Sequence, residues 1–206
     1  MDADQIPPER FMTALTTEHF VLQGARSTLT AESASRAALY LASLTGSLIA
    51  LGFVTRDASV LGPFAAAVLP ALLVLGEFTY WRLLNAGIED FHHRWEIERI
   101  RAYYRGLVPP GLPFFASAPV RASAAPVRQF MGVRARDLNV FLTVGSMVAA
   151  INSMVAGASI ALALHAMANL SAAWAVGLAS LIAVVLYLAH MRLAIRQYRV
   201  GLADLA

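Results

Sequence analysis

Two stretches free of formal charge, residues 37–55 and 58–76, follow each other early in the chain, and the second runs on past Glu77 to Trp81. A third, residues 138–191, spans 54 positions interrupted only by His165 and His190. A helix needs about 20 apolar residues to cross a hydrocarbon core of about 30 Å. The long stretch is more than twice that and divides at Asn169-Leu170-Ser171, where a short turn fits. The pattern therefore predicts four spanning helices, at 36–55, 61–83, 138–167 and 172–192. Pro70 lies in mid-span and predicts a bend there.

Apolar positions outside the spans also recur at helical spacing. Pro7-Pro8-Glu9-Arg10 has the form of a helix start, and Phe11, Leu15, Leu22 and Leu29 follow it toward the first span. Beyond the second span, Leu84, Ile88, Phe91 and Trp95 form one stripe. Glu89, Asp90, Arg94, Glu96, Glu98, Arg99 and Arg101 fill the remaining face. This helix should end near Gly106, because Pro109 and Pro110 follow. Five of the nine prolines fall between 109 and 126, which reads as a loop or linker; 127–137 returns to helix, and 192–205 prolongs the fourth span. The expected organisation is an all-α integral membrane four-helix bundle with helices extending into the cytosol. It divides into an amphipathic N-terminal helix (1–35), spans one and two (36–83), Arg-rich helices with a Pro-rich loop (84–137), spans three and four (138–192) and a C-terminal helix (193–206).

Composition strengthens the membrane reading. Of 206 residues, 58 % are hydrophobic and 14 % charged, and mean hydropathy is +0.61. A soluble domain carries about 25 % charged residues. Without cysteine there is no disulfide, thiolate metal site or Cys nucleophile. All 16 basic residues are Arg, and 15 lie on one side of the predicted spans; only Arg56 lies on the other. The positive-inside rule places both termini and the 83–137 segment in the cytosol. No cleavable signal peptide is expected, since the N-terminus is acidic and the first long apolar run starts near Ala37.

Candidate chemistry is sparse. No Gly-rich phosphate loop, H-E-x-x-H or G-x-S-x-G occurs, and no enzyme, cofactor or metal site is expected. Glu77 is the only carboxylate inside a predicted span. It reads either as a residue ion-paired with Arg82 or Arg36, or as a ring at a pore mouth. Span three carries small residues at every fourth position, Gly145, Ala149, Ser153, Gly157 and Ala161, followed by His165. Thr143, Ser146, Asn152 and Ser159 lie beside them. Such a stripe serves packing within one subunit, a subunit interface or a narrow pore. The pore or interface candidates are thus Glu77, Gly145, Asn152, Ser153 and Gly157. Glu89, His92, His93 and Glu96 have metal-like spacing, but a solvated charged face has the same pattern. Arg94, Arg99, Arg101, Arg105, Arg134 and Arg136, with nearby aromatics, form a candidate anion-binding face. Positive-inside topology or anionic lipid would explain the same Arg.

The run Thr17-Glu18-His19-Phe20-Val21-Leu22-Gln23-Gly24-Ala25-Arg26-Ser27, continuing through Glu32-Ser33 to Ala37-Ala38-Leu39-Tyr40-Leu41, resembles a family of small bacterial four-helix membrane proteins of actinobacterial type. The layout also resembles the transmembrane effectors of nucleotidyltransferase-based antiphage systems of the Hailong type. That resemblance implies a homo-oligomeric ion channel in the bacterial inner membrane, acting in antiviral defence. It would be gated by a nucleotide or short single-stranded DNA made by a partner nucleotidyltransferase. Expected partners are copies of the chain itself, as a homotetramer, membrane lipid and that nucleic-acid ligand. The alternative is a non-conducting scaffold that binds a cytosolic partner through its helical extensions. A membrane enzyme or transporter would have only Glu77, Asn152 and His165 to use. Glu77 and His165 would be about 20 Å or more apart along straight helices.

Overall fold

The structure, a computed structural model, describes residues 8–109, 143–168 and 170–202. Among these the chain is all-helical, with four helices: α1 (Pro8–Val54), α2 (Ala58–Gly106), α3 (Val144–Ala168) and α4 (Ala172–Gly201). Each is long and apolar enough to cross a membrane. The Pro-rich stretch from residue 110, the helix expected over 127–137, Arg134, Arg136 and the first residues of the predicted third span lie outside the described residues.

The helix ends have local causes. Asp57 caps α2, its Oδ1 accepting from the Ser59 amide at 2.9 Å and the Ser59 hydroxyl at 2.6 Å. These bonds hold the Asp57 carboxyl below the usual aspartate range, the side-chain bond contributing most. Thr143 caps α3: its Oγ1 accepts from the Ser146 amide, and its carbonyl accepts from the Ser146 hydroxyl and the Met147 amide. At the end of α2 the Leu107 and Val108 amides bond three residues back, and Pro109 then stops the helix. Pro63 and Pro70 both lie inside α2, which continues through them.

The spanning parts run on into their extensions, as the stripe beyond span two predicts: α1 and α2 are each one unbroken helix, of 47 and 49 residues. No glycine or proline interrupts the run from Ser27 to Thr45, so nothing in α1 favours a stop where the composition changes.

The chain forms two compact units. One holds the described residues up to Glu32, from Ala86 to Pro109, and Gly201–Leu202; the other holds Ser33–Asn85 and the described residues from Thr143 to Val200. The charge and hydropathy pattern divides the chain at 35/36, 83/84, 137/138 and 192/193, the third lying outside the described residues.

In the first unit the N-terminal half of α1 packs on the C-terminal half of α2 through Leu22, Ile97 and Ile100, flanked by Leu15 and Tyr104. Phe91, from the predicted stripe, is fully buried. Gly201 approaches α2 so closely that a Cβ there would lie 2.8 Å from Ile88 Cγ2. In the second unit all four helices meet around Tyr40, Tyr80, Leu83, Leu84, Val148, Ala149, Met191 and Ala194. Its outside is apolar: Leu48, Ile49, Phe53, Phe78, Met154, Trp174, Val184 and Val185 are all more than half exposed. A soluble monomer rarely leaves so much contiguous apolar surface uncovered.

Candidate functional site

Three hydroxyls of the second unit are satisfied on their own helices. Thr79 donates to Leu75 O, Ser153 to Ala149 O and Ser159 to Val155 O, each one turn back. Polar side chains from different helices converge around Glu77. Asn152 of α3 donates from Nδ2 to Glu77 Oε1 at 2.9 Å and, more weakly, to Leu73 O at 3.3 Å. His190 of α4 places Nε2 2.9 Å from the same Oε1. Tyr40 of α1 makes a long contact, 3.4 Å, from its hydroxyl to Asn152 Oδ1. Tyr80 donates to His190 O at 2.7 Å, and its ring packs edge-on against the imidazole with centroids 4.8 Å apart. One side chain or more from every helix thus enters the cluster.

Two features of α2 admit this arrangement. Glu77 follows Gly76, and a Cβ at Gly76 would collide with the Asn152 amide, its Oδ1, Cγ and Nδ2 all lying within reach. Only glycine lets the amide lie against the α2 backbone. The Glu77 side chain is also poorly enclosed: 43 % of it remains exposed, against 14 % for His190, and both of these hydrogen bonds end on Oε1.

The small stripe of α3 faces its own bundle. Ala149 and Ser153 are buried, and Gly145 lies in ordinary contact with Leu83 Cβ of α2. Gly157 is pressed against α4, where a Cβ would meet Ala179 O at 2.9 Å and Ala183 Cβ at 3.0 Å. These contacts are the packing role that small residues serve between helices in a bilayer. His165 is exposed at the far end of α3, with Nδ1 2.9 Å from Leu170 O. The polar residues that come together are therefore Glu77, Asn152 and His190, not His165. Sequence reasoning singled out neither His190 nor Tyr80 for the site. The available signal was that Glu77 and His190 each lie a few residues before the inner end of a predicted span.

The first unit places the candidate anion-binding residues differently from one another. Asp90 is shared by Arg26 and Arg94, both at 2.8 Å, and Arg101 pairs with Glu98 at 2.9 Å. Arg99 is exposed and Arg105 half-buried. The charged face of the α2 extension is thus partly spent on internal pairs, with the Asp90 and Glu98 side chains 20 % and 12 % exposed. His19, from the N-terminal motif, bonds Gln23 Nε2 at 2.8 Å. Burial first, and then the Arg101 guanidinium, push its imidazole below the usual range, with Glu98 opposing. His92 Nε2 donates to Gly201 O at 2.7 Å. Among the described residues no group of three or more His, Asp or Glu is placed to hold a metal ion.

Among the described residues the fold and the site define an all-helical arrangement with four helices able to span a membrane, in which one Glu77 oxygen joins α2 to α3 and α4. Compared with known proteins, the chain matches no protein family, no curated sequence and no solved structure.

Proposed function

We propose that the protein is a homo-oligomeric, channel-like membrane effector of the bacterial inner membrane, with both termini in the cytosol. The observation that carries this reading is the exposure of Glu77. A carboxylate in an apolar span costs several kcal/mol unless protein or water covers it. The chain's own helices leave 43 % of that side chain open. A second copy of the chain, or a water column between copies, would cover the rest. The Arg distribution supports the orientation.

The trigger is an anionic ligand, a nucleotide or a short single-stranded DNA, received by the first unit. Arg99 supports it as an exposed cation, while Arg94 and Arg101 would have to leave Asp90 and Glu98 to take part. The role in antiphage defence and the partner nucleotidyltransferase rest on the sequence resemblance alone. A scaffold reading draws on Phe20 and Val21, which are 68 % and 58 % exposed outside the predicted spans and would suit a protein partner.

Particle mass and symmetry in mild detergent, followed by ion flux from liposomes with short oligonucleotides or nucleotides added, tests the proposal. A closed ring of three or more subunits, ligand-dependent flux, and loss of ligand response in Arg99→Glu are expected. A monomer without flux would overturn the channel and leave the scaffold.

A further inference from the structure

The hydrogen bonds around His190 do not balance without an extra proton. Nδ1 lies 2.8 Å from Leu186 O, and Nε2 lies 2.9 Å from Glu77 Oε1. A backbone carbonyl only accepts, so Nδ1 carries a hydrogen. A neutral imidazole then has a bare lone pair on Nε2, facing a carboxylate oxygen that also only accepts. Two acceptors cannot hold a 2.9 Å contact. One further proton must lie between them, either on Nε2 as an imidazolium–carboxylate pair or on Oε1 as a carboxylic acid donating to neutral imidazole. The count is the same in both forms. Asn152 cannot supply it, because its Nδ2 already points at two acceptors, Oε1 and Leu73 O.

We propose that Glu77 and His190 form a proton-binding site that latches α2 to α4, with Asn152 attaching α3 to the same oxygen. The groups facing it are Tyr40 from α1, Tyr80 from α2, and Asn152, the uncharged contribution of α3. On α4, Tyr187 and Tyr198 pack against the same core. Arg82 and Arg192 lie five and two residues further along α2 and α4. Loss of the proton leaves Oε1 and Nε2 as opposed lone pairs and releases the α2–α4 contact, so the packing of the second unit depends on its occupancy. This follows from the packing alone and stands whether or not the chain conducts ions.

The test uses the full chain in lipid nanodiscs with 15N-labelled histidine, the His190 signals being assigned by their absence in His190→Gln. At neutral pH one of two signatures is expected. Either both ring nitrogens of His190 are protonated, or Nδ1 alone is protonated together with a carboxylic acid C=O band that Glu77→Gln removes. A bare Nε2 with no such band would overturn the proposal. A double-mutant cycle at constant pH gives a second readout. Glu77→Ala and His190→Ala should each lower the melting temperature, and the double variant by clearly less than the sum of the two losses. Strictly additive losses would overturn the latch. Should any of these variants fail to fold, the wild-type nitrogen signals decide alone.

Discussion

Gly76→Ala probes the closest helix contact in the second unit. An added methyl would overlap the Asn152 amide, whose Oδ1, Cγ and Nδ2 are its three nearest neighbours. Ala improves helix propensity by about 1 kcal/mol. Overpacking costs about 1–3 kcal/mol. Expelling the amide also forfeits its contacts with Glu77, Leu73 O and Tyr40. At about 0.6 kcal/mol each inside a bilayer, the three come to about 1.8 kcal/mol. The net expectation is a loss of about 2–4 kcal/mol. The steric share should vanish when the amide is absent, so in an Asn152→Ala background Gly76→Ala should be neutral or stabilising by up to about 1 kcal/mol. Reversible unfolding of the four proteins of this double-mutant cycle, in detergent micelles or bicelles, gives the coupling directly. A coupling within about 0.5 kcal/mol of zero, or a single mutant as stable as wild type, would refute the close approach.

Gly157→Ala should destabilise by about 1–3 kcal/mol, because Ala179 O belongs to the α4 backbone and cannot step aside. Gly177→Ala, with nothing within 4 Å, is its matched control and should be neutral or slightly stabilising in the same unfolding assay. Asp57→Ala should lower the melting temperature by removing the α2 cap. Since folding holds the Asp57 carboxyl below its ordinary value of 3.8, the capping benefit is complete above that pH and fades as pH falls through the folded value. The gap between wild type and Asp57→Ala should therefore narrow in acid; a gap that stays constant would contradict the cap.

Much of the architecture was legible in the order of residues. Charge-free runs of 19 residues or more, a turn at Leu170-Ser171 and Pro109 after Gly106 reflect local rules of length and backbone geometry, and four helices follow; α2 starts at Ala58 on the Asp57 cap, three residues before the expected 61. Glu77 and Asn152 also stood out, since a carboxylate or amide in an apolar run needs a partner. Which partner was a different kind of fact. Glu77 and His190 are 113 positions apart and Asn152 and Tyr40 are 112 apart, so only the packing of α1, α2, α3 and α4 could bring them into one cluster. The same holds for Gly76, which looks like any small residue until the Asn152 amide is seen against it. The arginines show the limit from the other side. Their number and placement along the chain are sequence properties, but whether each is free or held is decided by a contact such as Arg26 with Asp90, 64 positions apart. Helix formation is local and is written into the spacing of residues, whereas the neutralisation of a buried charge depends on three-dimensional neighbours that only the folded chain supplies.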